Sequence, residues 1–224
     1  MSVAASVLPP PLRDGDRLTS DEFMRRWEAM PDLKFAELID GVVCLASPVS
    51  SEHYKFHTTL TAWIAIYADS TPGCEAAMEA TWLMGERNVS QPDLSLHILP
   101  QHGGQSRQQG KYVAGAPELA CEVAVSSRRR DLGPKLKLYE KLGAREYLIA
   151  LPPTEELIWN ELVNGKYQLI PPGNDGIFRS LIFPGLWLDP AALWRRDLKG
   201  MLAILQQGLA TPEYAAFAAR LAGK

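Results

Sequence analysis

Residues 118–125, Glu-Leu-Ala-Cys-Glu-Val-Ala-Val, constrain the fold of this chain more tightly than any other stretch. As a strand, they put Leu119, Cys121, Val123 and Val125 on one face and Ala120, Glu122 and Ala124 on the other. Burying Glu122 in so apolar a run is costly unless something pairs with it. Its small neighbours Ala120 and Ala124 leave room for that partner, and a metal ion or a lysine would each serve.

The next element offers the lysine. Residues 131–142 read as a helix closed by Gly143 just past its end. At about 100° per residue, Leu132, Leu138, Tyr139 and Leu142 fall within roughly 60° of Lys135. By the same geometry Lys137 and Lys141 lie near 200° and about 240°, on the far side. Lys135 therefore sits in the apolar stripe and needs a buried or half-buried anion, while the other two lysines face solvent. Upstream, Pro92-Asp93 opens a strand in which Leu94, Leu96 and Ile98 alternate with Asp93, Ser95 and His97. Asp93 is thus a carboxylate at a strand start, beside any crevice there.

The rest of the chain frames these elements. Thr19-Ser20-Asp21-Glu22 predicts a capping box and a short helix burying Phe23 and Trp27. Asp40-Gly41 and Asn164-Gly165, each between apolar runs, predict hairpins. Ser50 and Ser51 precede a helical pattern over 52–69 that Pro72-Gly73 stops. Strands are expected at 81–84 and 147–151, and a loop at 101–110. A linker-like segment should follow Pro184, then helices at 191–208 and 212–222. The expectation is an α/β (α+β) fold: a mixed sheet flanked by helices, with an N-terminal hairpin and a C-terminal helical appendage. The divisions expected are a flexible arm over 1–17, a main domain over 18–190 and the appendage over 191–224.

Composition narrows the function. A net charge of −3 argues against a non-specific polyanion binder but leaves room for a local basic patch, which Arg128, Arg129 and Arg130 supply. The three cysteines, Cys44, Cys74 and Cys121, have neither the number nor the spacing of a disulfide framework or zinc knuckle, which fits a reducing cytoplasm. No apolar run is long enough for a membrane span. The signatures of serine hydrolases, zincins, P-loop proteins and dinucleotide binders are absent. Taken singly, Asp93 is more often a turn or capping residue, and Glu122 with Lys135 is more often a structural ion pair. Together, two acids on neighbouring strands and an inward lysine suit a hard-cation site for phosphodiester hydrolysis.

From Glu122 the sequence reads Glu-Val-Ala-Val-Ser-Ser, then Asp131-Leu-Gly-Pro-Lys135-Leu-Lys-Leu-Tyr139, then Gly143-Ala-Arg-Glu146-Tyr147. With Glu37-Leu-Ile-Asp40-Gly41, Ser47-Pro48 ahead of Glu52-His53, and Pro92-Asp93, this run resembles the Uma-type restriction endonuclease family of the PD-(D/E)XK nuclease superfamily. The resemblance spans roughly 18–190 and implies a restriction-endonuclease-like core. It implies an endonuclease that cuts DNA with Mg2+, or Mn2+, bound by Asp93 and Glu122, and that acts as a cytoplasmic homodimer. Ala124 stands where many such nucleases carry the catalytic lysine; Lys135 would take that role from the following helix. Glu37 would be a third carboxylate near the metal. His53 would touch substrate or metal, or be a satisfied structural histidine, and Arg128, Arg129 and Arg130 would meet substrate. Val125, Arg128–Arg130 and Ala150-Leu151 depart from the family pattern, which touches substrate recognition. Two other readings stand beside this one: a nucleic-acid-binding or regulatory module on a nuclease fold, and a small-molecule phosphoesterase.

Overall fold

The computed structural model describes residues 8–46 and 48–223. Helix α1, Ser20–Glu28, leads into the hairpin β1, Ala36–Ile39, and β2, Val42–Leu45. Helix α2, Ser51–Ser70, follows, then β3, Cys74–Met78, β4, Trp82–Leu83, β5, Val89–Ser90, and β6, Leu94–Ile98. A second hairpin, β7, Arg107–Gln109, and β8, Tyr112–Ala114, precedes β9, Leu119–Val123. A helical stretch then runs through α3, Arg128–Arg130, a π-turn over Asp131–Lys135, and α4, Leu136–Leu142. Strands β10, Glu146–Leu151, β11, Glu156–Val163, and β12, Lys166–Leu169, complete the main sheet. A short pair, β13, Phe178–Arg179, and β14, Trp187–Leu188, leads to α5, Pro190–Trp194, α6, Leu198–Leu209, and α7, Pro212–Ala222.

Two six-stranded mixed sheets result, in the orders β2-β1-β5-β4-β8-β7 and β12-β11-β10-β9-β6-β3. β9 lies centrally in the second, parallel to β10 and antiparallel to β6. Both of its faces are covered. Leu119, Cys121 and Val123 pack into the largest core with Leu60, Trp63 and Ile64 of α2. Ala120 and Ala124 pack into a second core with Tyr139 and Tyr147. A third core joins Phe23 and Trp27 of α1 to Leu38 and Val43 of the hairpin. The hairpin turns at Asp40 and Gly41, with φ 49° and 81°, and at Asn164 and Gly165, with φ 51° and 77°, use the left-handed conformations that two-residue type I′ connections demand.

Several expectations are corrected. Residues 1–7 of the expected arm lie outside the described residues, but the part nearer α1 is anchored rather than free. Leu12 is buried, Arg17 bridges Val42, and the Gly15 amide donates to the Val43 carbonyl. The expected loop at 101–110 contains a 3-10 turn and β7. The segment past Pro184 is core, not linker: Leu186 and Leu188 are fully buried, and the Trp63 Nε1 donates to the Trp187 carbonyl at 2.8 Å. The single helix expected over 191–208 is two, broken where Arg196 turns left-handed with φ 55°. The C-terminal helices set Met201, Leu205, Phe217 and Leu221 into the same core as Trp63. There Gly208 of α6 passes so near the Gly185 backbone that a side chain at 208 would collide with it. In the capping box, Thr19 accepts from the Glu22 amide at 3.4 Å. The Glu22 carboxylate does not reach back; it binds the Arg25 and Arg26 guanidiniums instead.

Glu146, fully buried at the head of β10, ties the C-terminal segment to the sheet. Its Oε1 accepts from the Leu181 and Ile182 amides at 2.7 and 3.1 Å. Its Oε2 accepts from the Trp159 Nε1 at 3.1 Å and the Ser180 hydroxyl at 2.8 Å. Burial pushes this carboxyl up from 4.5 to about 7, against the pull of these donors. A folded-state pKa above the unfolded one contributes stability below about pH 4.5 that is lost as pH rises through about 7. The urea midpoint of the wild type should therefore fall across that window. Glu146→Ala, which strands three N–H donors, should cost about 3 kcal/mol and lack that pH component. Urea unfolding at about pH 5 and about pH 8 checks both.

Candidate active site

β6 and β9 bring the first two acids together. Their antiparallel register pairs Leu94 with Cys121; carried one residue further, it sets Asp93 opposite Glu122. The Asp93 Oδ2 accepts from the Val123 amide at 2.7 Å and lies 3.1 Å from the His53 Nε2. His53 is delivered by the first turn of α2, where the Ser50 hydroxyl accepts from the His53 amide at 3.2 Å. One turn on, the His57 ring stacks on it at 5.6 Å and holds the Asp93 carbonyl at 3.0 Å. Burial pushes the Asp93 carboxyl up, but the His53 bond, Lys135 and the Val123 amide together leave it below its usual value. The Asp93 bond in turn raises His53 against the opposing effect of its burial.

The helix after β9 supplies the cation. Pro134 cannot donate to the helical ladder, and the turn around it is widened to a π-turn, a form often found at functional sites. Lys135 ends that turn with 2% of its surface exposed. Its Nζ lies 2.5 Å from the Glu122 Oε1 and 3.1 Å from the Glu37 Oε1. The Glu37 Oε1 also accepts from the Ser90 hydroxyl at 2.8 Å and the Gln91 amide at 2.9 Å. The Tyr139 hydroxyl, 2.9 Å from the Ser90 Oγ, donates to the Glu122 Oε1 at 3.3 Å. Burial disfavours the ammonium, yet Glu122 and Glu37 outweigh it and hold Lys135 well above its ordinary pKa. Burial pushes Glu122 up; Lys135 draws it down, and Asp93, Asp131 and Glu37 push it further up. Two carboxylate oxygens accepting from one amine keep that amine charged, so Lys135 is the fixed cation of the cluster.

Asp93, His53, Glu122, Glu37 and Lys135 line a cavity of about 480 Å³ together with Phe35, Val49, Arg129, Arg130 and Asp131. Asp131 is 1% exposed; its Oδ2 accepts from the Ser127 hydroxyl, and its Oδ1 is buried without a partner. Burial raises the Asp131 carboxyl, as does Asp93, against the pull of Lys135, Ser127 and Arg130. The Arg130 Nε is likewise buried and unpaired. Four carboxylates (Glu37, Asp93, Glu122 and Asp131) thus face two permanent cations, Lys135 and Arg130. Every bond that Asp93 and Glu122 side chains make with the described residues goes to Oδ2 of the first and Oε1 of the second. Oδ1 and Oε2 remain for a ligand. An excess of buried negative charge with unclaimed carboxylate oxygens fits a divalent cation. Among the described residues, no three metal-ligating side chains already converge. Mg2+ suits such a site, because it commonly takes one or two carboxylates and fills its octahedron with water and substrate phosphate.

Asp93, Glu122, Lys135, Glu37 and His53, all singled out in sequence, meet at this cavity. Glu37 does so by holding Lys135. The arginines divide: Arg129 and Arg130 line the cavity, whereas Arg128 turns outward to Glu156 at 2.9 Å. The sequence reading missed Asp131, His57, Ser90 and Tyr139 as members of the cluster. For Asp131 a signal existed: four residues before Lys135, it falls about 40° from it on the same helical face. Ser47, of the Ser47-Pro48 motif, lies outside the described residues.

A family model described as "Uma2: Putative restriction endonuclease" matches residues 20–191. No curated protein matches the chain. Among solved structures, the chain is similar to one described as "a putative nuclease belonging to DUF820" from Anabaena variabilis. The TM-score is 0.62 at 16% identity, covering 80% of this chain and 98% of that one, a likeness of fold. Among the described residues no helix is long and apolar enough to cross a membrane.

Removing one partner of a buried ion pair leaves an uncompensated charge. Lys135→Met should therefore cost about 3–5 kcal/mol at neutral pH. The defect should shrink on acidification, because a protonated Glu122 needs no counter-charge. Urea unfolding of the wild type and variant at two pH values measures this.

Proposed function

The chain belongs to the Uma2 family of restriction-endonuclease-like proteins, and from that premise we propose that it hydrolyses phosphodiester bonds of DNA with Mg2+ or Mn2+ held by Asp93 and Glu122. One observation carries the reading. Asp93, just ahead of β6, and Glu122 of β9 face each other one residue beyond the recorded β6–β9 pairs, each with one oxygen tied to the protein, beside a lysine that a third carboxylate holds in place. A bound divalent cation would supply charge stabilisation at the phosphate and acidify a water.

The chain's own groups do the rest. Lys135 spends two of its three N–H donors on Glu122 and Glu37 and has one left for the attacking water or a phosphate oxygen. Being buried and already oriented, it stabilises developing negative charge without reorganising. The Ser90 hydroxyl on Glu37 and the Tyr139 hydroxyl on Glu122 fix the two carboxylates and so fix where it sits. His53 and the Val123 amide hold the Asp93 carboxylate in one orientation, so its remaining oxygen is presented to the cavity. Arg130, which lines the cavity, is placed to donate to a phosphate oxygen. In hydrolysis a water oxygen bonds to phosphorus, the bond to the leaving sugar oxygen breaks, and that oxygen takes up a proton.

The test is cleavage of labelled DNA with Mg2+ or Mn2+ and with EDTA, comparing wild type with Asp93→Asn and Glu122→Gln. The expected result is metal-dependent cutting that falls by at least about a hundredfold in each folded variant. Cutting that survives both substitutions would overturn the site. Metal-dependent binding without cutting would instead favour a nuclease fold used as a nucleic-acid-binding module.

A further inference from the structure

We infer that this cavity admits an unpaired DNA strand, with a nucleotide entering it, rather than an intact duplex. The inference rests on the nuclease reading of the site and adds the form of substrate it takes. Its first support is depth. Glu122, Asp131 and Lys135 are 4%, 1% and 2% exposed and line a cavity of about 480 Å³. That volume falls within the ~300–1,000 Å³ of sites that enclose a small molecule, the size class of one nucleotide. A duplex is stiff over about 150 base pairs and carries its phosphates on a regular cylinder. It cannot lower one phosphate into such a cavity without unpairing or sharp bending. A single strand has no such restraint.

The rim supplies the second support. Phe35 and Val49 are two of the seven large hydrophobic side chains exposed among the described residues, at 37% and 59%, and both line this cavity. An exposed aromatic at the mouth of a polar site offers a face for a base to stack on, and a duplex keeps its base faces covered. Arg129, exposed, and Arg130, with an unpaired Nε, come from the helical segment after β9 and also line the cavity. An aromatic face and two guanidiniums on one cavity combine stacking with phosphate attraction, the two terms that hold single strands. The third support is charge. With a net charge of −3, the chain has two arginines at the cavity and no excess of basic residues to span the closely spaced phosphates of a duplex. A strand entering one cavity also needs no second copy of the site to be cut.

The test measures binding first, on metal-free protein in EDTA, by fluorescence anisotropy. The probes are a labelled single-stranded DNA oligonucleotide and the same sequence as a blunt duplex. The single strand should bind at least about tenfold more tightly. Phe35→Ala should weaken that binding by about fivefold or more, Phe35→Trp should retain it, and duplex binding should not change. Circular dichroism confirms that both variants are folded. Both probes are then incubated with Mn2+, and the single strand should be cut faster. Duplex bound or cut as well as the single strand, or Phe35→Ala without effect on single-strand binding, would overturn the inference. If the strand preference and the Phe35 effect hold but nothing is cut, the inference stands and the catalytic reading falls.

Discussion

The site is organised around an ammonium group taken out of water. Lys135 is held between Glu122 and Glu37, and each of the three comes from a different part of the chain: the helix after β9, the centre of β9, and β1 of the N-terminal hairpin. Neither carboxylate could be buried so deeply alone, and neither could the amine. The interaction therefore locks the hairpin, the central strand and the helix into one arrangement. It also consumes one oxygen of Glu122 and leaves the other. A buried ion pair with nothing left over would be purely structural. Here Asp131 and Asp93 stand beside the pair as further carboxylates, and the proposed cation would bind among them.

The fold delivers these groups economically. Adjacent strands β6 and β9 supply the two proposed ligands within one register pair, and the N-terminus of α2 supplies the histidine that orients one of them. The wide turn at Pro134 brings Lys135 and Asp131 onto the same cavity although they are separated by a proline that an ordinary helix would resist. The hairpin closes the other side and adds the apolar rim residue Phe35 next to the Glu37 that holds the lysine.

What could be read from the sequence followed from strong local rules. The Asp-Gly and Asn-Gly turns, the Ser50 cap, and the two faces of β9 all answer to short-range sterics or periodicity. The helix phase placed Lys135 correctly because a buried lysine in an apolar stripe leaves little choice, and Lys137 and Lys141 are exposed as the same phase requires. What was missed lacked such a signal. β7 is Arg-Gln-Gln, exposed throughout, and is held by pairing with β8, not by a buried face. β13 and β14 are two residues each and owe their burial to α2 and α6, distant in sequence. The π-turn depends on how Pro134 is accommodated by its surroundings, which no periodicity encodes. The capping box failed at its second half because two nearby arginines compete for Glu22.

The central claim is that Asp93 and Glu122 hold one divalent cation beside Lys135. Anomalous diffraction from crystals grown with Mn2+ tests it most directly. The account predicts one strong peak within coordination distance of Asp93 and Glu122 carboxylate oxygens, at ~2.0–2.6 Å as for hard cations, with Lys135 still on Glu122 and Glu37. A peak elsewhere, or no peak at saturating Mn2+, would contradict it.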